Sequence, residues 1–250
     1  MAEWLLLIFS AFFAGVVNTI AGGGTFLTFP ALVFAGVPPV AANATSAVAV
    51  FPGYLGGALG FQQEMRAFDR RRLVRLVLIT LAGGVAGSGL LLVSSNAAFS
   101  MVVPFLLFGA TLVFLFGDRL RDWAASRASA FAPEGAMGLF AVSAYGGYFN
   151  GGLGIVLLAL FSIWGMTDIH LMNGLKNGLS FALSAISVAI FSVAGLVHWP
   201  QALAMMAAAI LGGYAGAPVA RALPKAVIRA LIAVIGFGMS CVFFLRLLGA

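Results

Sequence analysis

Long apolar runs, each bounded by charged residues or by clusters of Gly, Pro and Asn, divide the chain into segments. They lie near 4–21, 25–36, 40–62, 73–94, 98–117, 136–150, 154–165, 168–197, 200–221 and 226–248. A helix needs roughly 20 residues to cross a bilayer. The pattern therefore predicts an all-α polytopic membrane protein. Segments 25–36, 136–150 and 154–165 are too short to cross comfortably, and each adjoins a glycine break. The first break is Gly22-Gly23-Gly24-Thr25 and the second is Gly151-Gly152-Leu153-Gly154. Irregular backbone is costly in hydrocarbon because its N–H and C=O groups find no water. It persists where protein buries it or where it lines a cavity. Two related breaks, one per half, point to a transporter binding site.

The halves correspond at a shift of 129 to 130 residues. Gly24 matches Gly154 and Asn43 matches Asn173 at 130, and Gly83-Gly84-x-x-Gly87 matches Gly212-Gly213-x-x-Gly216 at 129. A near-constant shift across separated landmarks argues for duplication. Loop charge then decides the orientation of the repeats. The loop at 62–72 holds Arg66, Arg70, Arg71 and Arg72, while its counterpart at 191–201 holds no Lys or Arg. The turn at 94–98 holds none, while its counterpart at 221–229 holds Arg221, Lys225 and Arg229. The loop at 117–135 holds Arg119, Arg121 and Arg127, against only Arg246 at the C-terminal end. Positive charge marks cytoplasmic loops, so this alternation predicts inverted repeats.

The expected organisation is a first membrane repeat over 1–120, a cytoplasmic linker over 121–135 and a second repeat over 136–250. Each repeat is a broken or re-entrant helical hairpin (4–36 and 136–165) followed by three transmembrane helices. Loops 62–72, 117–135 and 221–229 are expected in the cytoplasm, with both termini outside it. If 4–21 and 25–36 both cross, the parity is unchanged.

Composition agrees. The chain is 62% hydrophobic and 8% charged, against about 25% charged in a typical soluble domain. All seven acids lie at segment ends or in loops, so the net charge of +6 reflects loop arginines rather than a nucleic-acid footprint. The single cysteine, Cys241, has no internal partner and is expected to be a small buried apolar residue. The N-terminus lacks a basic stretch before its apolar run and reads as a first membrane segment, not a cleaved signal.

Helices that begin at the breaks would aim free N–H groups and a positive dipole end at the gap, and glycine lets a ligand approach closely. Gly23, Gly24 and Thr25 are the candidates in one half, Asn150, Gly152 and Gly154 in the other. Polar residues follow each hairpin: Asn43, Thr45 and Ser46, then Asn173, Lys176 and Asn177. The last three share one helix face at spacings of three and four. Lys176 aligns with Ser46 and is the one Lys or Arg well inside an apolar segment, which marks it as a site candidate. The alternative for Lys176 is snorkelling to an interface. Asn18 and Thr19 either donate to an anion or cap frayed backbone. Asp168 reads as an N-cap, and His198-Trp199-Pro200 as an interfacial turn. The pairs Gly53/Gly57, Gly83/Gly87 and Gly212/Gly216 read as helix-packing glycines. No HExxH, paired intramembrane carboxylates or Walker A motif occurs. A cation site would want deep acids, so an anion fits better. No cofactor, metal or enzymatic activity is expected.

Two stretches carry a resemblance. One runs Phe13-Ala-Gly-Val-Val-Asn-Thr-Ile-Ala-Gly-Gly-Gly-Thr-Phe-Leu-Thr-Phe-Pro-Ala-Leu, then Ala41-Ala-Asn-Ala-Thr-Ser. The other holds Gly146-Gly-Tyr-Phe-Asn-Gly-Gly-Leu-Gly, Asp168-Ile-His, Asn173-Gly-Leu-Lys-Asn, Gly195-Leu-Val-His-Trp-Pro and Gly212-Gly-Tyr-x-Gly. Their order and spacing resemble the sulfite exporter TauE/SafE-like family over nearly the whole chain. That resemblance implies a secondary transporter of the plasma membrane, often for sulfur-containing organic or inorganic anions such as sulfite or sulfoacetate. With inverted halves supplying two pseudo-equivalent conformations, the expected function is export of a small sulfur-containing or carboxylate anion by alternating access. Its partners would be the anion and the bilayer, with a coupled proton or sodium ion and a homodimer left open. The second half departs from the commoner family pattern in carrying Leu175-Lys176 where many relatives repeat Thr-Ser. A passive anion channel and a non-transporting membrane subunit are the other two readings.

Overall fold

The structure, a computed structural model, describes residues 1–20, 23–66, 68–126, 135–222 and 225–247. Gly22, Arg127 and Glu134 lie outside it, as do the side chains of Thr19, Arg121, Arg221, Lys225, Arg229 and Arg246. The described residues form α-helices and no strand. The first half contains α1 (Ala2–Ile20), α2 (Thr25–Phe34), α3 (Pro39–Gly60), α4 (Gln62–Arg66), α5 (Arg70–Val93), α6 (Asn96–Leu115) and α7 (Gly117–Ser126). The second contains α8 (Ala136–Tyr148), α9 (Leu153–Ile163), α10 (Ile169–Val193), α11 (Trp199–Ala222) and α12 (Lys225–Leu247). Helices α4 and α7 fall where loops are predicted. Both are short polar segments that continue from an apolar helix, and at α7 Arg119 lies over the Phe116 ring at 5.8 Å.

The short helices are stopped by glycine in a left-handed conformation. Helix α2 ends at Gly36 (φ 82°), where Val37 N–H donates to the Leu32 carbonyl at 3.0 Å. Helix α9 ends in the same way at Gly165 (φ 80°), with Met166 N–H on the Phe161 carbonyl at 3.0 Å. This motif satisfies the last carbonyls and turns the chain sharply. At 10 and 11 residues the two helices are each about 15 Å long, half of a hydrocarbon core. Among the described residues α5, α6 (over Asn96–Val113) and α10 are both long and apolar enough to cross a bilayer. Helix α3 matches them in length, with 22 residues, but carries Asn43, Thr45, Ser46, Tyr54 and four glycines.

Helices start at residues 25, 39, 70 and 96 in the first half and at 153, 169, 199 and 225 in the second, offsets of 128, 130, 129 and 129. Packing respects the same correspondence. Helix α1 packs on α11 and α8 on α5, α5 also meets α10 as α11 meets α3, and α3–α10 and α6–α12 pack on each other. Both of these last pairs run antiparallel. Thr45 lies by His198 while Gly57 lies by Asn177, and Phe105 meets Phe244 edge to face while Phe108 meets Phe237.

Glycine makes the closest crossings. A Cβ at Gly15 or Gly212 would run into α11 or α1 backbone, and one at Gly83 or Gly87 into α8 backbone. Gly83 and Gly87 therefore do pack helices. One core gathers Phe29, whose ring meets those of Phe99, Phe149 and Phe243. A second gathers Leu76, Leu139, Leu153, Phe161, Leu175 and Leu179. Cys241 is exposed rather than buried, on the outer side of α12. In an apolar helix that faces lipid, an apolar side chain gains nothing by pointing inward.

Candidate functional site

A cavity of about 630 Å³ runs along the second half of α3 and the start of α10. Its wall from Ala49 to Phe61 is about 18 Å long at helical rise. Helix α3 is divided sharply at this cavity. Val40 to Val50 are all buried, whereas Phe51 to Gly60 are all partly or fully exposed. The cavity end formed by Gly60, Phe61 and Asn173 is next to α4, since Gly174 packs against Phe61 and Met65. Toward the opposite end α3 is buried throughout, from Val40 to Val50.

The α10 face supplies Asn173, Lys176, Asn177 and Ser180. Helix α10 starts here because the Asp168 carboxylate accepts from the backbone N–H groups of His170 (2.9 Å) and Leu171 (3.2 Å), the capping role read from the sequence. The Lys176 stem lies over Gly154 in the first turn of α9, where a Cβ would come 3.2 Å from Lys176 Cδ. Among the described residues no acid lines the cavity, and no ion pair or hydrogen bond holds the Lys176 ammonium. Ser180 is 1% exposed and its hydroxyl has no partner within the protein.

Facing α10, Gly53, Gly56, Gly57 and Gly60 line the cavity from α3. Gly53 and Gly57 are therefore wall residues, a correction to their reading as packing glycines. A Cβ at Gly57 would come 2.7 Å from the Asn177 carboxamide. Periodicity cannot separate the two roles, because both need a small residue every helical turn.

The breaks are used differently from the expectation. The Gly24 N–H donates to Asn18 Oδ1 at 2.9 Å, so the protein itself satisfies the start of α2. Asn18 also lines the cavity, and thus stands between the break and the open space. In the second break Gly152 adopts a left-handed conformation (φ 74°) as the cap of α9. Tyr145 donates its hydroxyl to the Gly151 carbonyl. Asn150 is held from both sides: Tyr54 donates to Oδ1 at 3.3 Å, and Nδ2 donates to Ser184 Oγ at 3.4 Å.

Of the candidates read from the sequence, Gly154, Asn173, Lys176 and Asn177 meet at the cavity. Gly24 and Asn150 stand one side chain behind it, through Asn18 and Tyr54. Gly23, Thr25, Asn43, Thr45, Ser46 and Gly152 are not on its wall. Asn43 donates to the Tyr148 carbonyl at 2.9 Å, Thr45 accepts from His198 N–H at 3.0 Å, and Ser46 meets Thr28 at 2.6 Å. All three seal the closed end. Tyr54 and Ser180 also lie on the wall, beyond the residues expected from the sequence. Ser180 continues the Asn173-Lys176-Asn177 face, which was the available signal.

The family described as sulfite exporter TauE/SafE matches residues 7–243. A "probable membrane transporter protein" of Haemophilus influenzae is 28% identical over 94% of this chain and 92% of its own length. "Probable membrane transporter protein ORF9" of Sinorhizobium sp. is 28% identical over 94% and 89%. "Probable membrane transporter protein YfcA" of Escherichia coli K12 is 27% identical over 94% and 87%. No solved structure matches the chain significantly. With nearly its whole length matched, this chain belongs to the sulfite exporter TauE/SafE family.

Proposed function

We propose that this protein is a multi-pass secondary transporter of the plasma membrane that exports a small sulfur-containing or carboxylate anion by alternating access. The observation that carries the anion reading is Lys176, a cation on a cavity wall without an acid among the described lining residues. An intramembrane charge is expensive and calls for a partner. The amides of Asn18, Asn173 and Asn177 add neutral donors around it. The relatives' names support transport, and the family's description supports an anionic cargo and export.

Two inverted repeats, 1–120 and 136–250 joined by 121–135, supply the mechanism. This reading is supported by helix starts that recur at offsets of 128 to 130, and by matched helices that pack antiparallel. It gives two pseudo-equivalent conformations around one site. The buried stretch of α3 favours a carrier over a channel, because a channel needs a continuous path. The arginines of 62–72 near the α4 end of the cavity support a cytoplasmic opening.

The test is flux in proteoliposomes with sulfite, sulfate, thiosulfate and sulfoacetate. Saturable flux of at least one is expected. A hydrogen bond to a charged group contributes about 1.5–3 kcal/mol, so Lys176→Met should raise the half-saturating concentration roughly ten- to hundredfold. Unsaturable flux, or a Lys176→Met variant with unchanged saturation, refutes the reading of the site.

A further inference from the structure

Position 176 has a counterpart that is sealed. Ser46 occupies the matching place on α3, at the 130-residue offset that relates Asn43 to Asn173. Ser46 packs against the first turn of α2, where its hydroxyl meets that of Thr28, and Thr28 donates to the Gly24 carbonyl at 3.3 Å. Lys176 packs against the first turn of α9 in the same manner, with its stem over Gly154. The surroundings differ. Ser46 is 0% exposed within a wholly buried stretch, whereas Lys176 borders the cavity.

In a carrier of inverted halves, the two halves exchange these environments during the cycle. This exchange of environments rests on the carrier reading of the protein. When the open end closes, position 176 takes the packing that Ser46 has now. A serine suits that packing, being small and neutral with a hydroxyl partner in Thr28. Lysine does not. The residue that matches Thr28 is Leu158 at the offset relating Gly24 to Gly154, or Val156 at the offset of the two helix starts, and neither side chain offers an acceptor. An ammonium sealed in dry packing without a counter-charge is strongly disfavoured. A bound anion supplies the missing charge at the place where the ammonium needs it.

We infer that Lys176 is a charge lock on the empty carrier: the open end closes over position 176 only with an anion bound. Reorientation then needs cargo in both directions. The protein works as an anion-for-anion exchanger, in which the return leg carries a second anion, rather than as a uniporter that resets empty. The lock also explains why the two halves depart from symmetry at this position. A serine in both halves would let the empty form cycle freely.

The lock is tested by accessibility without any anion, so the result does not depend on knowing the cargo. Ala47 is 6% exposed, and its counterpart at offset 130 is Asn177, a cavity residue. Position 47 should therefore meet solvent only in the exchanged conformation. Ala47→Cys is placed in a Cys241→Ser background and reconstituted in lipid nanodiscs without added anion. A membrane-impermeant maleimide then reaches both faces. Labelling should be at least about tenfold faster with Lys176→Met or Lys176→Gln than with Lys176 or Lys176→Arg, as a shifted two-state population requires. Equal rates in all four backgrounds overturn the lock, even where saturable anion flux shows that the carrier reading stands. Faster labelling accompanied by a fall in the thermal unfolding midpoint is loosening of the fold and overturns it equally. Loss of saturable flux in the unmodified protein strikes the carrier reading instead.

Discussion

Gly57 and Gly87 both lie inside long helices, and alanine at each separates a glycine that shapes the cavity from one that sets a helix crossing. At Gly57 a Cβ would come 2.7 Å from Asn177 Cγ and Nδ2, the tip of a side chain that can turn away. At Gly87 it would overlap the Ala144 carbonyl oxygen and lie 2.8 Å from Ala144 C and Tyr148 N. Those are backbone atoms of α8 and cannot move alone. Alanine gains about 1 kcal/mol over glycine in helix propensity. At Gly57 that gain roughly offsets a displaced Asn177 rotamer, which costs about 0.5–1.5 kcal/mol. At Gly87 the α5–α8 crossing must open, and Gly147, which would itself meet the Gly84 carbonyl at 2.6 Å, loses its contact too. Overpacking costs about 1–3 kcal/mol, and separating a glycine-built crossing forfeits further packing. A net loss of about 2 kcal/mol lowers the unfolding midpoint of a chain this long by about 4–8 °C. Gly57→Ala should move it by less than about 2 °C while raising the half-saturating anion concentration about tenfold, through the displaced Asn177 amide. The assays are thermal unfolding followed by tryptophan fluorescence, and proteoliposome flux. A Gly57→Ala midpoint as low as that of Gly87→Ala would make Gly57 a packing residue and remove α3 from the cavity wall.

Two further substitutions test local structure. Asp168→Ala removes the acceptor for two backbone N–H groups and should cost about 1 kcal/mol, seen as a lower unfolding midpoint that Asp168→Asn restores. Gly152→Ala meets nothing closer than 3.4 Å, so its cost of about 1–2 kcal/mol comes from the left-handed backbone alone. A midpoint unchanged by Gly152→Ala would show that the α8–α9 turn relaxes to another conformation.

Helix content and most helix starts are legible in the sequence, because hydrocarbon leaves the backbone few alternatives. The N-cap role of Asp168 is legible too, since cap chemistry is local. What escapes is whatever depends on which helix lies opposite. Gly53 and Gly87 have the same spacing to their glycine partners at 57 and 83, yet one pair faces side-chain amides at the cavity and the other faces α8 backbone. Cys241 misleads for a similar reason, because an apolar residue in a lipid-facing helix carries no mark of which way it points. Asn18, Asn43 and Asn150 look alike as polar residues near a break. The structure gives Asn43 to a carbonyl at the sealed end, Asn150 to a hydroxyl pair, and only Asn18 to the cavity.

The glycine breaks therefore act at one remove. A helix start that donates to Asn18 has spent its free N–H on the protein, so the dipole end reaches a ligand only through that amide. Direct contact with an anion falls to α10, and the space for it comes from the glycine row of α3. Charge is thus concentrated on one half and room on the other. Such a division follows if the two halves diverged under opposite demands: one to hold an anion with a single cation, the other to close tightly in its absence. Ser46 can be sealed because it is neutral, and Lys176 can select because it is not. Exchanging the two residues tests this directly. Lys176→Ser together with Ser46→Lys should return the ammonium to the other half and restore anion dependence, with the sealed end of the present structure becoming the one that resists closure.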